Sequence, residues 1–260
     1  EFTYDALGSM LTMTEPATGE SFAMTYDHRR RIRSITRFHS GVQTRRVELD
    51  YDPLDRLIEQ RVDGVVTRML YEAFNPIVFM DAAGNVIERR LYSRLYDDVH
   101  AVARGAEVLW PLRDPSGTVR EWASSDATTV TALTYDTFGN LLTGSTAGLP
   151  TLGFQSHDRI ADLPFYHFRA RTYDPRTGRF CQEDQIRPFG YDFAENNPLM
   201  FVDPTGESVA LEYVCLAGFS IGAATTVANM SKGVFETAMK GVALGLTSGT
   251  NPAGAAAATA

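Results

Sequence analysis

The residues of this chain best suited to chemistry lie along one stretch. Phe168-Arg-Ala-Arg-Thr-Tyr-Asp-Pro-Arg-Thr-Gly-Arg-Phe180 reads as a strand, an Asp-Pro…Gly turn built on Tyr173, Asp174 and Gly178, and a second strand. Glu183-Asp184 follows, then the turn signal Asn196-Asn197-Pro198, then Val202-Asp203-Pro204-Thr205-Gly206. Acidic sites therefore recur along a single segment. Two carboxylates close enough to share one proton become unequal: one stays ionised as a base for water, the other stays protonated and polarises a carbonyl. Strand alternation points Glu183 and Asp184 to opposite faces, so only one of them should face the interior. Cys181 with His167 is a conceivable nucleophile and base, but a buried strand cysteine is the simpler reading. Neither Cys181 nor Cys215 has a CxxC partner, and the five histidines do not cluster at ligand spacing, so no metal is expected and no cofactor. No G-x-S-x-G, Walker A or G-x-G-x-x-G pattern stands in a convincing context. Asp52-Pro53, Asp114-Pro115, Asp174-Pro175 and Asp203-Pro204 are acid-labile bonds, so nicking at low pH would not demonstrate catalysis.

The elements that must position this segment are announced by a repeat. Tyr-Asp pairs leading into turns occur at Tyr4-Asp5, Tyr26-Asp27, Tyr51-Asp52 and Tyr135-Asp136, with Tyr71-Glu72 a weaker copy. Steps of 22, 25 and 20 residues separate Tyr4, Tyr26, Tyr51 and Tyr71, and the 64 residues to Tyr135 leave room for about three more. A period in the twenties marks an array of supersecondary units. Runs such as Ser21–Tyr26, Thr44–Tyr51 and Val66–Tyr71 alternate apolar and polar side chains, as strands do. Each unit reads as a β-hairpin. The tyrosine ends a strand with its ring buried, the aspartate bonds to turn amides, and a later Gly or Asn supplies positive φ. Asp81-Ala-Ala-Gly84 and Asp114-Pro-Ser-Gly117 are turns of the same kind without a tyrosine. Stacked edge to edge, such hairpins bury one another's edges and build one long spiralling sheet.

The 260 residues carry 24 Lys and Arg against 32 Asp and Glu, a net charge of −8. This balance argues against nucleic acid as a partner, because phosphate binding needs a basic face. Arg29-Arg30-Arg31 and Arg45-Arg46 are expected to be solvated strand faces. The chain opens at Glu1-Phe2 within the repeat pattern, which reads as a fragment of a longer polypeptide. After Gly206 the character changes. Val209–Ala228 is nearly uncharged, Lys232–Gly245 has helical spacing, and the end is rich in Gly, Ala and Thr. A buried helix, a membrane-active segment and disorder are all open for this tail.

The order of these elements, with about forty residues from Phe165 to Gly206 carrying it, resembles the core segment of the Rhs/YD-repeat family, "RARYYDPxTGRF…DP…NNP…DPxG". The resemblance implies a mainly β protein: an array of YD hairpins over 1–150 winding around a hollow shell, an Rhs core plug over 151–207, and a variable tail over 208–260. It also implies an aspartyl autoprotease in the core. Asp184 and Asp203 carry over as the catalytic carboxylates. In this chain a cationic neighbour, Arg179 or Arg187, is expected to orient one of them. The Asn196-Asn197-Pro198 turn would fold the segment back to bring the two acids together. The cut would fall just after Gly206 or Glu207, with Glu207-Ser208 preferred. This chain departs from the pattern in Gln185 after Asp184, in a shorter loop before Asp203 and in Glu207 in place of leucine. By the same resemblance the protein is secreted or at a cell surface. Its partners would be the rest of its own shell, a downstream toxin cargo, and a secretion-system component, target-cell surface or immunity protein. The competing expectation is a surface interaction or adhesion protein, glycan binding included, whose core plugs the shell without cutting.

Overall fold

The computed structural model describes residues 1–93, 97–125, 129–185 and 190–207. Thirteen strands form one antiparallel sheet in unbroken chain order. They are β1 (Phe2–Tyr4), β2 (Met10–Glu15), β3 (Glu20–Tyr26), β4 (Ile32–His39), β5 (Val42–Tyr51), β6 (Leu57–Val62), β7 (Val65–Glu72), β8 (Asn75–Met80), β9 (Val86–Tyr92), β10 (Val99–Arg104), β11 (Glu107–Arg113), β12 (Val119–Ser124) and β13 (Thr129–Ala132). A separate hairpin, β14 (Thr134–Tyr135) with β15 (Leu141–Thr143), leads to a four-stranded sheet of β16 (Asp158–Arg159), β17 (Tyr166–Phe168), β18 (Arg171–Asp174) and β19 (Arg179–Phe180). The fold is thus mainly β, as the repeat pattern implies. No described helix is long and apolar enough to cross a membrane. The apolar tail lies outside the described residues.

Tyrosines end β1, β3, β5 and β9, and Tyr71 stands one residue from the end of β7. The three steps expected between Tyr71 and Tyr135 are present, and end at Tyr92, Arg113 and Tyr135. Six turns share one geometry, at Asp5, Asp27, Asp52, Asp81, Asp114 and Asp136. In each, the aspartate Oδ1 accepts the backbone N–H groups two and four residues on, at 2.7–3.1 Å. The amide three residues on bonds back to the aspartate carbonyl. That third position is left-handed. Glycine fills it at Gly8, Gly84, Gly117 and Gly139, but Arg30 and Asp55 fill it in the second and third repeats, where Gly or Asn was expected.

Arg31 departs from the expectation of a solvated face. Its side chain is only 13% exposed and its guanidinium pairs with Asp27 at 2.6 Å. It also reaches forward into the next repeat, to the Asp52 carbonyl and Asp55, and lies 4.7 Å above the Tyr51 ring. Arg56 repeats the arrangement: it pairs with Asp52, donates to the Ala73 carbonyl and covers Tyr71. Arg120 does likewise between Asp114 and Tyr135. Each arginine therefore ties one turn to the next, with charge-assisted bonds and a cation–π contact.

The sheet buries one face against the C-terminal segment. Met10, Phe22, Met24, Ile35, Leu49, Met69 and Phe79 pack with Ile160, Leu163, Phe165 and Cys181. A second cluster surrounds Trp122. The third is aromatic and gathers Phe154, Tyr166, Phe168, Tyr173, Phe180 and Phe193. Both ends of the sheet meet this segment. Near β1, Met10 N–H bonds to the Cys181 carbonyl, and the Tyr191 hydroxyl to the Gly8 carbonyl. At the other end Val119 N–H bonds to Gly153.

Candidate active site

The hairpin of β17 and β18 supplies the floor of the site. Its two-residue tip, Arg169-Ala170, is clamped onto the Asp203–Gly206 turn by three successive contacts. Arg169 Nη1 donates to the Pro204 carbonyl, Ala170 N–H to the Thr205 carbonyl at 3.2 Å, and Arg171 Nε to the Gly206 carbonyl. The turn is also capped from within, since Asp203 Oδ1 accepts the Gly206 N–H at 2.9 Å. Only glycine fits position 206: its φ is +70°, and a Cβ there would stand 2.1 Å from the Phe168 carbonyl oxygen.

Asp184 and Asp203 are brought together on one guanidinium. Arg171 Nη2 lies 3.2 Å from Asp184 Oδ2 and 3.7 Å from Asp203 Oδ2. All three are buried: Asp184 is 8% exposed, Asp203 2% and Arg171 7%. The guanidinium rests 3.8 Å above the Phe180 ring, and its Nη1 donates to the Gly190 carbonyl. Asp184 is fixed in turn by its own N–H on the Gly190 carbonyl. One arginine thus contacts both acids and the backbone carbonyl just before Glu207.

The other expected residues fall as follows. Arg179, expected as an orienting cation, is exposed on β19, and Arg171 is the arginine that contacts both acids. Arg187 and Ser208 lie outside the described residues. Glu183 is only partly buried, so of the adjacent pair Asp184 is the inward one. Asp174 caps the β18–β19 turn through Arg176, and Tyr173 donates its hydroxyl to the Phe138 carbonyl. Gly178 closes that turn with φ +67°. Asn196 and Asn197 are exposed and Pro198 buried, in a turn where Asn196 N–H returns to the Phe193 carbonyl. Cys181 is fully buried, and burial pushes its thiol well above the usual range, which leaves it inert as a nucleophile.

A cavity of about 850 Å³ opens beside the turn. Pro204, Thr205 and Glu207 border it, together with Arg169, His157 and His167. Burial lowers His157 to about 3 and His167 to about 4, so both rings are neutral at pH 7.

The model of the family described as Teneurin YD-shell matches residues 35–201. The chain is 26% identical over 251 residues to the tRNA(Glu)-specific nuclease WapA of Bacillus subtilis subsp. natto, a match that covers 88% of this chain and 10% of that protein. It is 35% identical over 60 residues to salivary gland surface protein 1 of Aedes aegypti, covering 22% of this chain and 2% of that one. Among solved structures, a Photorhabdus luminescens Tc holotoxin pore superposes with a TM-score of 0.59 at 16% identity, over 80% of this chain and 11% of the other. The TcdB2–TccC3 crystal structure gives 0.56 at 14% identity, over 79% and 13%. At these identities the likeness is one of fold. The chain spans about a tenth of the length of the WapA relatives it matches.

Proposed function

The chain belongs to the teneurin YD-shell family, and from that premise we propose that it is the closing part of a toxin-encapsulating shell whose core cuts its own backbone to separate a C-terminal cargo. The observation that carries this reading is the convergence of Asp184 and Asp203 on Arg171, whose Nε holds the Gly206 carbonyl. The nuclease name of the WapA relatives and the toxin-complex setting of the structural neighbours agree with a toxin-bearing polypeptide.

The chemistry follows from the charges. Two carboxylates and one guanidinium leave a single negative charge, and self-cleavage requires the pair to hold one proton between them. The ionised acid takes a proton from water as the water oxygen bonds to the Gly206 carbonyl carbon. The Arg171 Nε–H stabilises the oxyanion that forms. The protonated acid then passes its proton to the Glu207 nitrogen, the C–N bond breaks, and Gly206 ends as a carboxylic acid with Glu207 as a new amine. The cavity bordering Thr205 and Glu207 supplies the water. Because the polarised carbonyl belongs to Gly206, the geometry favours Gly206-Glu207 over the Glu207-Ser208 bond preferred from sequence.

A second reading keeps the shell as a surface interaction scaffold with a non-cleaving core. The Asp203 cap on Gly206 N–H supports it, since that bond gives the carboxylate a structural task that needs no chemistry. Intact-mass measurement at neutral pH separates the two. Self-cleavage predicts two fragments, a rate independent of protein concentration, and a whole chain for Asp184→Asn and for Asp203→Asn. A wild-type chain that stays whole promotes the scaffold reading.

A further inference from the structure

We infer that Arg169 is a positioning residue for the cut, and that its pairing with Asp97 makes cleavage conditional on the sheet having wound past β9. The inference rests on the self-cleavage reading above. Arg169 holds Asp97 with both arms of its guanidinium, Nη2 to Oδ1 at 2.6 Å and Nη1 to Oδ2 at 2.9 Å. The same Nη1 donates to the Pro204 carbonyl. Asp97 lies 72 residues earlier, in the connection between β9 and β10. It is anchored there by β11, since Arg113 donates to the Asp97 carbonyl at 3.2 Å and pairs with Asp98. A continuous chain of polar contacts therefore runs from strand β11 through Asp97 and Arg169 to the turn that presents Gly206.

Two features couple this chain of contacts to the turn. Arg169 has a left-handed backbone at φ 51°. A non-glycine residue keeps that shape only when its surroundings over-determine it. The clamp is also stepwise, with residues 169, 170 and 171 each holding one of the carbonyls of 204, 205 and 206. A slip at Pro204 is passed to Gly206, two peptides away, and misplacement of a reacting carbonyl by about 1 Å costs on the order of 100-fold in rate. Without Asp97 in place, Arg169 loses the partner that aims it. A core made before its shell is wound would then leave the bond uncut.

The test uses the whole chain and two readouts, the first-order cleavage rate by intact mass and amide exchange at Ala170 and Gly206. Asp97→Ala and Arg169→Ala should each slow cleavage on the order of 10- to 100-fold and speed exchange at both amides, with secondary structure unchanged by circular dichroism. Methylguanidinium, which the adjoining cavity admits, should restore part of the rate in Arg169→Ala; a purely packing role would show no such rescue. Arg45→Ala is the control. It removes another sheet-to-core ion pair, with Asp162, that touches neither the turn nor its clamp. It should cut at the wild-type rate. Wild-type rates in Asp97→Ala and Arg169→Ala, beside uncut Asp184→Asn, would overturn the inference and leave the proteolytic reading standing. A wild-type chain that never cuts removes the proteolytic reading and this inference with it. Exchange at Ala170 and Gly206 then tells whether the clamp itself exists.

Discussion

At the scale of single residues, Arg171 is the most consequential side chain, because it contacts both acids and the carbonyl before Glu207. Arg171→Lys keeps the charge but lacks the fork, so it cannot serve Gly206 and both carboxylates at once. It should lower the cleavage rate on the order of 100-fold or more, as read by intact mass, while leaving a folded β spectrum. An unchanged rate would mean that the carbonyl is activated elsewhere. Asp184 and Asp203 were legible through their place in a known order of motifs. Arg171 was not. Arg169 and Arg171 look alike in Arg-Ala-Arg, and only the bend at Arg169-Ala170 sends one to the sheet and the other to the acids. Arg179 was the natural candidate because it is near Asp184 in sequence, but its strand position turns it to solvent.

At the scale of elements, the Asp turn is the unit. Removing the Asp52 carboxylate strips two amides and Arg56 of a partner, so Asp52→Ala should cost about 1–3 kcal/mol, measured by chemical denaturation. The turns also set the response to acid. Burial alone would raise the Asp27 and Asp52 carboxyls, but bonds from Arg31, Arg56 and the turn amides hold both below the usual range. Asn85 and the turn amides hold Asp81 low as well. A depressed folded value gives stability that is present above the unfolded value, about 4, and is lost as pH falls through the folded one. Asp97 and Asp174, raised by burial, work in the opposite sense. The thermal midpoint should therefore drop steeply below about pH 4, and less steeply in Asp52→Ala; equal slopes would show that these turns are not the acid-labile elements. Gly206→Ala should displace its turn and abolish the cut, with a lower midpoint, because the new methyl meets the Phe168 carbonyl. The Tyr-Asp turns could be read from sequence. The Asp114 turn could be read as well, without its tyrosine; the step that ends at Tyr92 could not be placed, since no aspartate follows that tyrosine. The arginine ties were hidden for another reason: a run of arginines looks solvated until the next tyrosine is known to lie beneath it.

At the scale of the molecule, the sheet's inner face and the core segment complete each other. Phe165 is fully buried and meets the Phe22 ring edge-on at 5.2 Å. Phe165→Ala should cost about 3–5 kcal/mol, and it should lower the midpoint of sheet and core together, as one transition. Separate transitions by near- and far-ultraviolet circular dichroism would show instead that the sheet stands without its plug. The mainly β character could be anticipated from the repeat. What sequence did not reveal is that both ends of the sheet bond to the core, at Gly8 and at Val119, because those contacts join residues far apart with no shared pattern.

The unbroken strand order has a consequence for size. Inside the array each Asp turn is closed by its own aspartate and, where an arginine reaches forward, tied to the next repeat, and the described strands of the large sheet pair in chain order. A step of two strands can therefore be added or deleted without re-pairing its neighbours. Each such step changes the wall by two strand spacings, about 9–10 Å. The capacity of an enclosure built this way is counted in repeats, so a lineage can enlarge or shrink it by duplicating or losing a stretch of some twenty codons, while the closing segment stays the same.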